Sequence, residues 1–170
     1  MPFVLTILLA IAAVVMTTDG FHTGAFAQAK PSATSRPVPR STASLEQTVF
    51  QQVNAYRARQ QLPMLQWEEH LAQQARQHSQ ALLTSSTRVG HAGFAQRLAA
   101  VAHVLSWSSA AENVAYAQGV QDPATHAVQG WLSSPAHRHN LEGPFTLTGI
   151  GVARNARGEV AFTQIFLKPR

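Results

Sequence analysis

The chain has 170 residues, 13 Lys and Arg against 8 Asp and Glu, a formal net charge of +5 at pH 7, and no cysteine. That length suits one domain, and the missing thiols exclude a disulfide scaffold, a cysteine nucleophile and a thiolate-ligated zinc centre. The pI near 10.8 invites a polyanion partner, but only 12% of residues are charged, about half the usual share, so scarce acids rather than dense bases set it.

Residues 3–16, FVLTILLAIAAVVM, form an apolar run shorter than the roughly 20 residues that span a bilayer. The run reads as the core of a secretory signal, and Ala25-Phe26-Ala27 supplies the small-x-small pattern for cleavage before Gln28; an uncleaved N-terminal anchor is the alternative. Residues 28–44 carry three prolines and three bases, Lys30, Arg36 and Arg40, with hardly a large apolar side chain. This composition predicts a basic linker without a core of its own. Residues 45–170, with 10 bases and 7 acids, make the folded domain, and no internal repeat divides it.

Within that domain, Leu45, Val49, Phe50, Val53 and Tyr56 recur on one helical face, with Ser44 and Gln47 as a capping box, which predicts a helix ending near Gln61. Leu62-Pro63 interrupts it, and Leu65-Gln66-Trp67 reads as a short apolar plug. Glu68 and Glu69 suit the start of a second helix, whose face Leu71, Ala75, His78 and Leu82 carries to about Leu83. The polar, glycine-punctuated residues 84–93 form a loop holding His91. A third helix is expected over 94–105, then a loop over 106–110 and a short strand over 112–116. Asp122-Pro123 is a strong start signal for a fourth helix, running to Leu132. Residues 146–153 and 159–167 alternate around Asn155-Ala156-Arg157-Gly158 and predict an antiparallel hairpin. Helices early and strands late indicate an α+β domain.

Of the eight histidines, His22 leaves with the signal, His70, His103 and His126 read as solvent-exposed or edge-of-core positions on helices, and His78 as a core residue. His91 between Gly90 and Gly93, Glu112 at a loop-to-strand junction and His137 beyond a helix end stand apart, because loops on a rigid scaffold are where sites gather. Two imidazoles and a carboxylate suit either a zinc ion with an open position or an acid, a base and an orienting group. His139 forms a His-x-His pair with His137, which in an extended segment would face the same side. Trp67, Trp131, Phe162 and Phe166 read as core, and Asn113 as a residue that orients the cleft or bonds nearby backbone.

The strings VNAYR (53–57), LPMLQWEEHLAQQARQHS (62–79), GH (90–91), AENVA (111–115), VQGW (128–131), SPAHR (134–138), GIGV (149–152) and FTQIF (162–166) occur in an order that resembles the CAP superfamily of cysteine-rich secretory, antigen 5 and pathogenesis-related 1 proteins. The resemblance covers nearly all of residues 45–170 and is nearest to the short bacterial secreted branch. It implies an α-β-α sandwich with a small central antiparallel sheet under about four helices. It also implies a surface cleft in which His91, Glu112 and His137 match three of four family positions. The fourth, a glutamate, falls at Ser134, which removes one carboxylate from the family's set.

Three functions follow as expectations. The first is a secreted or envelope module, noncatalytic or weakly catalytic, that binds a wall polymer, anionic membrane surface, lipid or peptide as a monomer, aided by its basic linker. The second is a zinc-dependent hydrolase of peptide or polysaccharide using His91, Glu112 and His137. The third is lipid or sterol binding. Nucleic acid is not expected, since the arginines are scattered.

Overall fold

A computed structural model describes residues 40–84 and 90–170. The segment read as an export signal and most of the segment read as a linker therefore lie outside the described residues. Helix α1 spans Thr42–Arg59, strand β1 Gln66–Trp67, helix α2 Glu69–Thr84, helix α3 Phe94–Ala102 and strand β2 Trp107–Gln118. Helices α4, Pro123–Ser133, and α5, Pro135–Glu142, then precede strands β3, Leu147–Arg154, and β4, Glu159–Pro169.

The sheet order is β1-β3-β4-β2. The expected hairpin is present, with Leu147 opposite Leu167 and Arg154 opposite Val160. β2 pairs antiparallel with the other side of β4. The apolar plug is a strand: Gln66 and Trp67 pair with Leu147 and Thr148 in parallel, so the sheet is mixed rather than wholly antiparallel. A two-residue strand carries too little periodicity to be read from sequence.

Helices cover both faces. Leu45, Val49 and Val53 of α1 and Ala127, Val128 and Trp131 of α4 pack on Ile150, Phe162 and Phe166. On the other face, Leu71 and Ala75 of α2 and Leu98 and Val101 of α3 pack on Ile165 and Leu167. Trp131, Phe162 and Phe166 are core as expected, while Trp67 is partly buried, edge-on to Phe50.

The GIGV string has a steric cause. A Cβ on Gly149 would lie 2.1 Å from the Ala72 nitrogen, and one on Gly151 2.0 Å from the Arg76 nitrogen. The α2 backbone therefore lies directly on β3, and only glycine permits that approach. Ile150, between them, points into the opposite layer.

Helix ends differ modestly from the expectations. The cap of α1 is Ser41, whose hydroxyl accepts from the Ser44 amide, so ordered helix starts inside the segment read as linker. A serine three residues upstream serves the same capping chemistry. Asp122 caps α4 as expected, accepting from the Thr125 amide. α3 stops at Ala102, and β2 runs over 107–118, longer at both ends than expected.

Candidate functional site

Side chains alternate across a strand, so Glu112 and Asn113 on β2 face opposite layers. Glu112 turns toward α2 and α3 and is 5% exposed. It lies in mid-strand, not at the junction expected. Arg97 of α3 meets it with two hydrogen bonds, Nε to Oε2 at 2.9 Å and a terminal nitrogen to Oε1 at 2.8 Å. Arg97 also donates to the Ala92 carbonyl at 2.9 Å, fixing the turn just after His91.

His91 reaches the same carboxylate, Nδ1 to Oε1 at 3.0 Å. A carboxylate only accepts, so this Nδ1 carries the proton, and in that tautomer Nε2 is the ring nitrogen with a lone pair. About half of the His91 side chain is exposed. His78, on the buried face of α2, lies 3.8 Å from Glu112 and bonds the Thr163 hydroxyl at 3.1 Å. Burial holds its pKa below the ordinary histidine value; Glu112 opposes that shift, while Arg97 and His91 add to it. His78 is thus a core residue, as read, and also a wall of the site.

Asn113 turns the other way and is fully buried. Its amide donates to the His137 carbonyl at 3.1 Å and its oxygen accepts from Asn140 at 2.9 Å. Asn140 also donates to the Glu112 carbonyl at 3.3 Å. These bonds fasten α5 to the outer edge of β2 and so place His137. That residue lies within a helix rather than in the loop expected, because Ser134-Pro135 starts a new helix directly after α4. Residues two apart on a helix are about 200° apart, so His137 and His139 do not share a side, and His139 is exposed. Burial, and then the nearby His91, hold the His137 pKa below its ordinary value.

Of the sequence-read trio, Glu112 is bonded to His91, and His137 is carried by α5, which Asn113 and Asn140 fasten to the same strand. Ser134 takes the N-terminal position of α5 with no side-chain capping bond. Three residues that build the site escaped the sequence reading: Arg97, Asn140 and, in its second role, His78. Arg97 did leave a signal, since Phe94, Arg97, Leu98 and Val101 lie on one helical face and an arginine among apolar neighbours needs a buried acid. Among the described residues, no three His, Asp or Glu side chains gather as a metal-holding group.

A two-layered cover of helices on a four-stranded mixed sheet defines the class as an α-β-α sandwich, with an imidazole-bonded carboxylate on its edge strand. The family model for the cysteine-rich secretory protein family, CAP, matches residues 50–166, more than half of the chain, and the chain belongs to that family. No match is found among curated proteins. Among solved structures, an outer surface protein from Borrelia burgdorferi is similar in fold, with TM-score 0.66 and 20% identity over 77% of this chain and 97% of that one. An extracellular SCP-domain protein from Bacillus anthracis has TM-score 0.58 and 28% identity over 78% of this chain. A cysteine-rich secretory protein from Staphylococcus aureus has TM-score 0.60 and 24% identity over 78%. This chain spans only 45% and 41% of the latter two.

Proposed function

We propose that the chain is an extracellular or envelope-exposed CAP module that binds a ligand in its histidine cleft without turning it over. The export-type N-terminus and the relatives described as outer-surface and extracellular proteins support the location. One observation carries the noncatalytic reading: both oxygens of Glu112 are held by Arg97, and one also by His91. A carboxylate so engaged is a poor general base, because abstracting a proton requires a free, exposed lone pair within reach of substrate. Its work is to set the tautomer and aim of His91. Lys30, Arg36 and Arg40 ahead of the domain add attraction to anionic surfaces.

The zinc reading has one supporting feature. A histidine whose Nδ1 proton is held by a carboxylate offers Nε2 in the way metal-ligating histidines do, so His91, with His137, is the pair that would hold an ion. A hydrolytic zinc centre takes about three protein ligands and an activating base, and with Glu112 committed to Arg97 these donors do not fit one. Calorimetric zinc titration of the protein and of the His91→Ala/His137→Ala variant tests the pair: equal affinity in both removes it as a metal site.

The function is tested by incubating the full chain with purified wall polymer, anionic vesicles and peptide mixtures, scoring both retention and cleavage. Retention on one of them, lost in the His91→Ala/His137→Ala variant and without cleavage, is the expected result. Cleavage that disappears with the same two substitutions would overturn the noncatalytic reading. The lipid alternative is separated by the vesicle arm.

A further inference from the structure

At the far end of the sheet from α3, the β3-β4 turn and the loop before α4 enclose a cleft of about 400 Å³. Its walls include Arg154, Arg157, Gly119, Val120, Pro123 and Val160. Arg154 lies on the strand face shared with Ile150 and Val152, opposite Val160, so its stem closes the open end of the α1/α4 core. Its Nε is buried with no hydrogen-bond partner. Among the described residues no carboxylate forms an ion pair with it, whereas Arg157 is paired with Glu159 at 2.7 Å. A buried, unanswered N–H is costly, so Arg154 is a half-buried guanidinium that the described residues do not themselves satisfy.

The surroundings suit an acceptor with oxygens and negative charge. Gly119 and Gly158 both have φ above +60° and a Cβ on either would meet nothing within 4 Å, so the cleft floor there is open backbone. The charges at the cleft are Arg154 and Arg157 against Glu159, a net +1. Asp122, the nearest other acid in sequence, is turned to the Thr125 amide and hydroxyl. Glu159 is itself answered by Tyr116, Asn155 and Arg157, and among the described residues none forms an ion pair with Arg154.

We infer that this cleft is an oxyanion-binding site, in which the Arg154 guanidinium, seconded by Arg157, takes a phosphate or carboxylate group of a ligand. The guanidinium fork matches either group with two parallel hydrogen bonds. The site is separate from the histidine cleft and does not depend on its reading.

The test follows arginine Nε–Hε signals of the full chain by NMR during titration with inorganic phosphate, acetate and chloride. Saturation of the Arg154 signal by phosphate or acetate is expected, with affinity falling several-fold in the exposed Arg157→Gln and, read from the Arg157 signal in the Arg154 variants, about tenfold in Arg154→Gln. The tighter of the two probes tells whether the natural group is a phosphate or a carboxylate. Arg154→Lys keeps charge and stem but not the fork, so it also weakens binding if the site is real and guards against a fold defect in Arg154→Gln. A linear, unsaturated response, an equal response to chloride, or affinities within twofold in all three variants would overturn the site.

Discussion

Arg97 and Glu112 form a buried two-point ion pair, both side chains closed to solvent and joined at 2.8 and 2.9 Å. Such a pair is a weak source of net stability, but breaking it on one side leaves a buried charge without compensation. Arg97→Ala is therefore expected to destabilise the domain by about 3–5 kcal/mol, and Arg97→Met/Glu112→Met to restore most of that. Urea unfolding of the single and double variants measures the coupling. A double variant as unstable as Arg97→Ala would show that packing, not the orphaned carboxylate, sets the loss.

The glycines offer a paired test in one experiment. At Gly151 a methyl group would strike the Ala75 carbonyl carbon and Arg76 nitrogen at 2.1 and 2.0 Å, and helix backbone cannot step aside. Gly151→Ala should cost about 3 kcal/mol or more, at the upper end for overpacking. Gly130, inside α4, is exposed and a Cβ there meets nothing within 4 Å. Gly130→Ala should instead stabilise by about 0.5–1 kcal/mol through helix propensity. Thermal unfolding of the two variants must move in opposite directions.

Arg57 gives a third expectation. It is 1% exposed, and its guanidinium donates to the carbonyls of Pro63, Leu141, Gly143 and Phe145. These bonds hold the chain leaving α5, the helix that carries His137. Lysine keeps the charge but has no planar fork to reach four carbonyls. Arg57→Lys should lose about 2 kcal/mol or more and broaden the His137 ring signals in NMR, while a change in stability alone would separate Arg57 from the cleft.

Periodicity made the long elements legible: the α1 and α2 faces and the β3-β4 hairpin all follow side-chain spacing that a single core imposes. The boundaries moved by a few residues because several serines near the start of α1 offer equivalent caps. β1 was invisible, since its stability comes from pairing with Leu147 and Thr148 far along the chain. At the site, His91, Glu112 and His137 were legible as residue types that do chemistry, and the family strings fixed their order. Arg97 was not, because its role depends on burial, and burial of a charge is decided by the partner across the fold. His137 was placed in the wrong element because a helix of eight residues, Pro135–Glu142, is too short to show an apolar stripe.

Two pH windows follow from the titrating groups. Burial keeps the His78 pKa below 6.5 in the folded state, so the unfolded chain binds more protons and stability falls as pH drops below about 6.5. His78→Asn should flatten that part of the profile. The Tyr116 hydroxyl, then Asn155 and Arg157, pull Glu159 down from 4.5 to about 2. The folded value is the lower one, so its contribution is complete above about pH 4.5 and lost as pH falls toward 2. Urea midpoints between about pH 7.5 and 2.5 should decline in both ranges for the parent protein, and Glu159→Gln should show a shallower decline in the lower range only. A parallel decline of parent and Glu159→Gln below pH 4.5 would mean that other carboxylates, Glu69 among them, dominate acid unfolding.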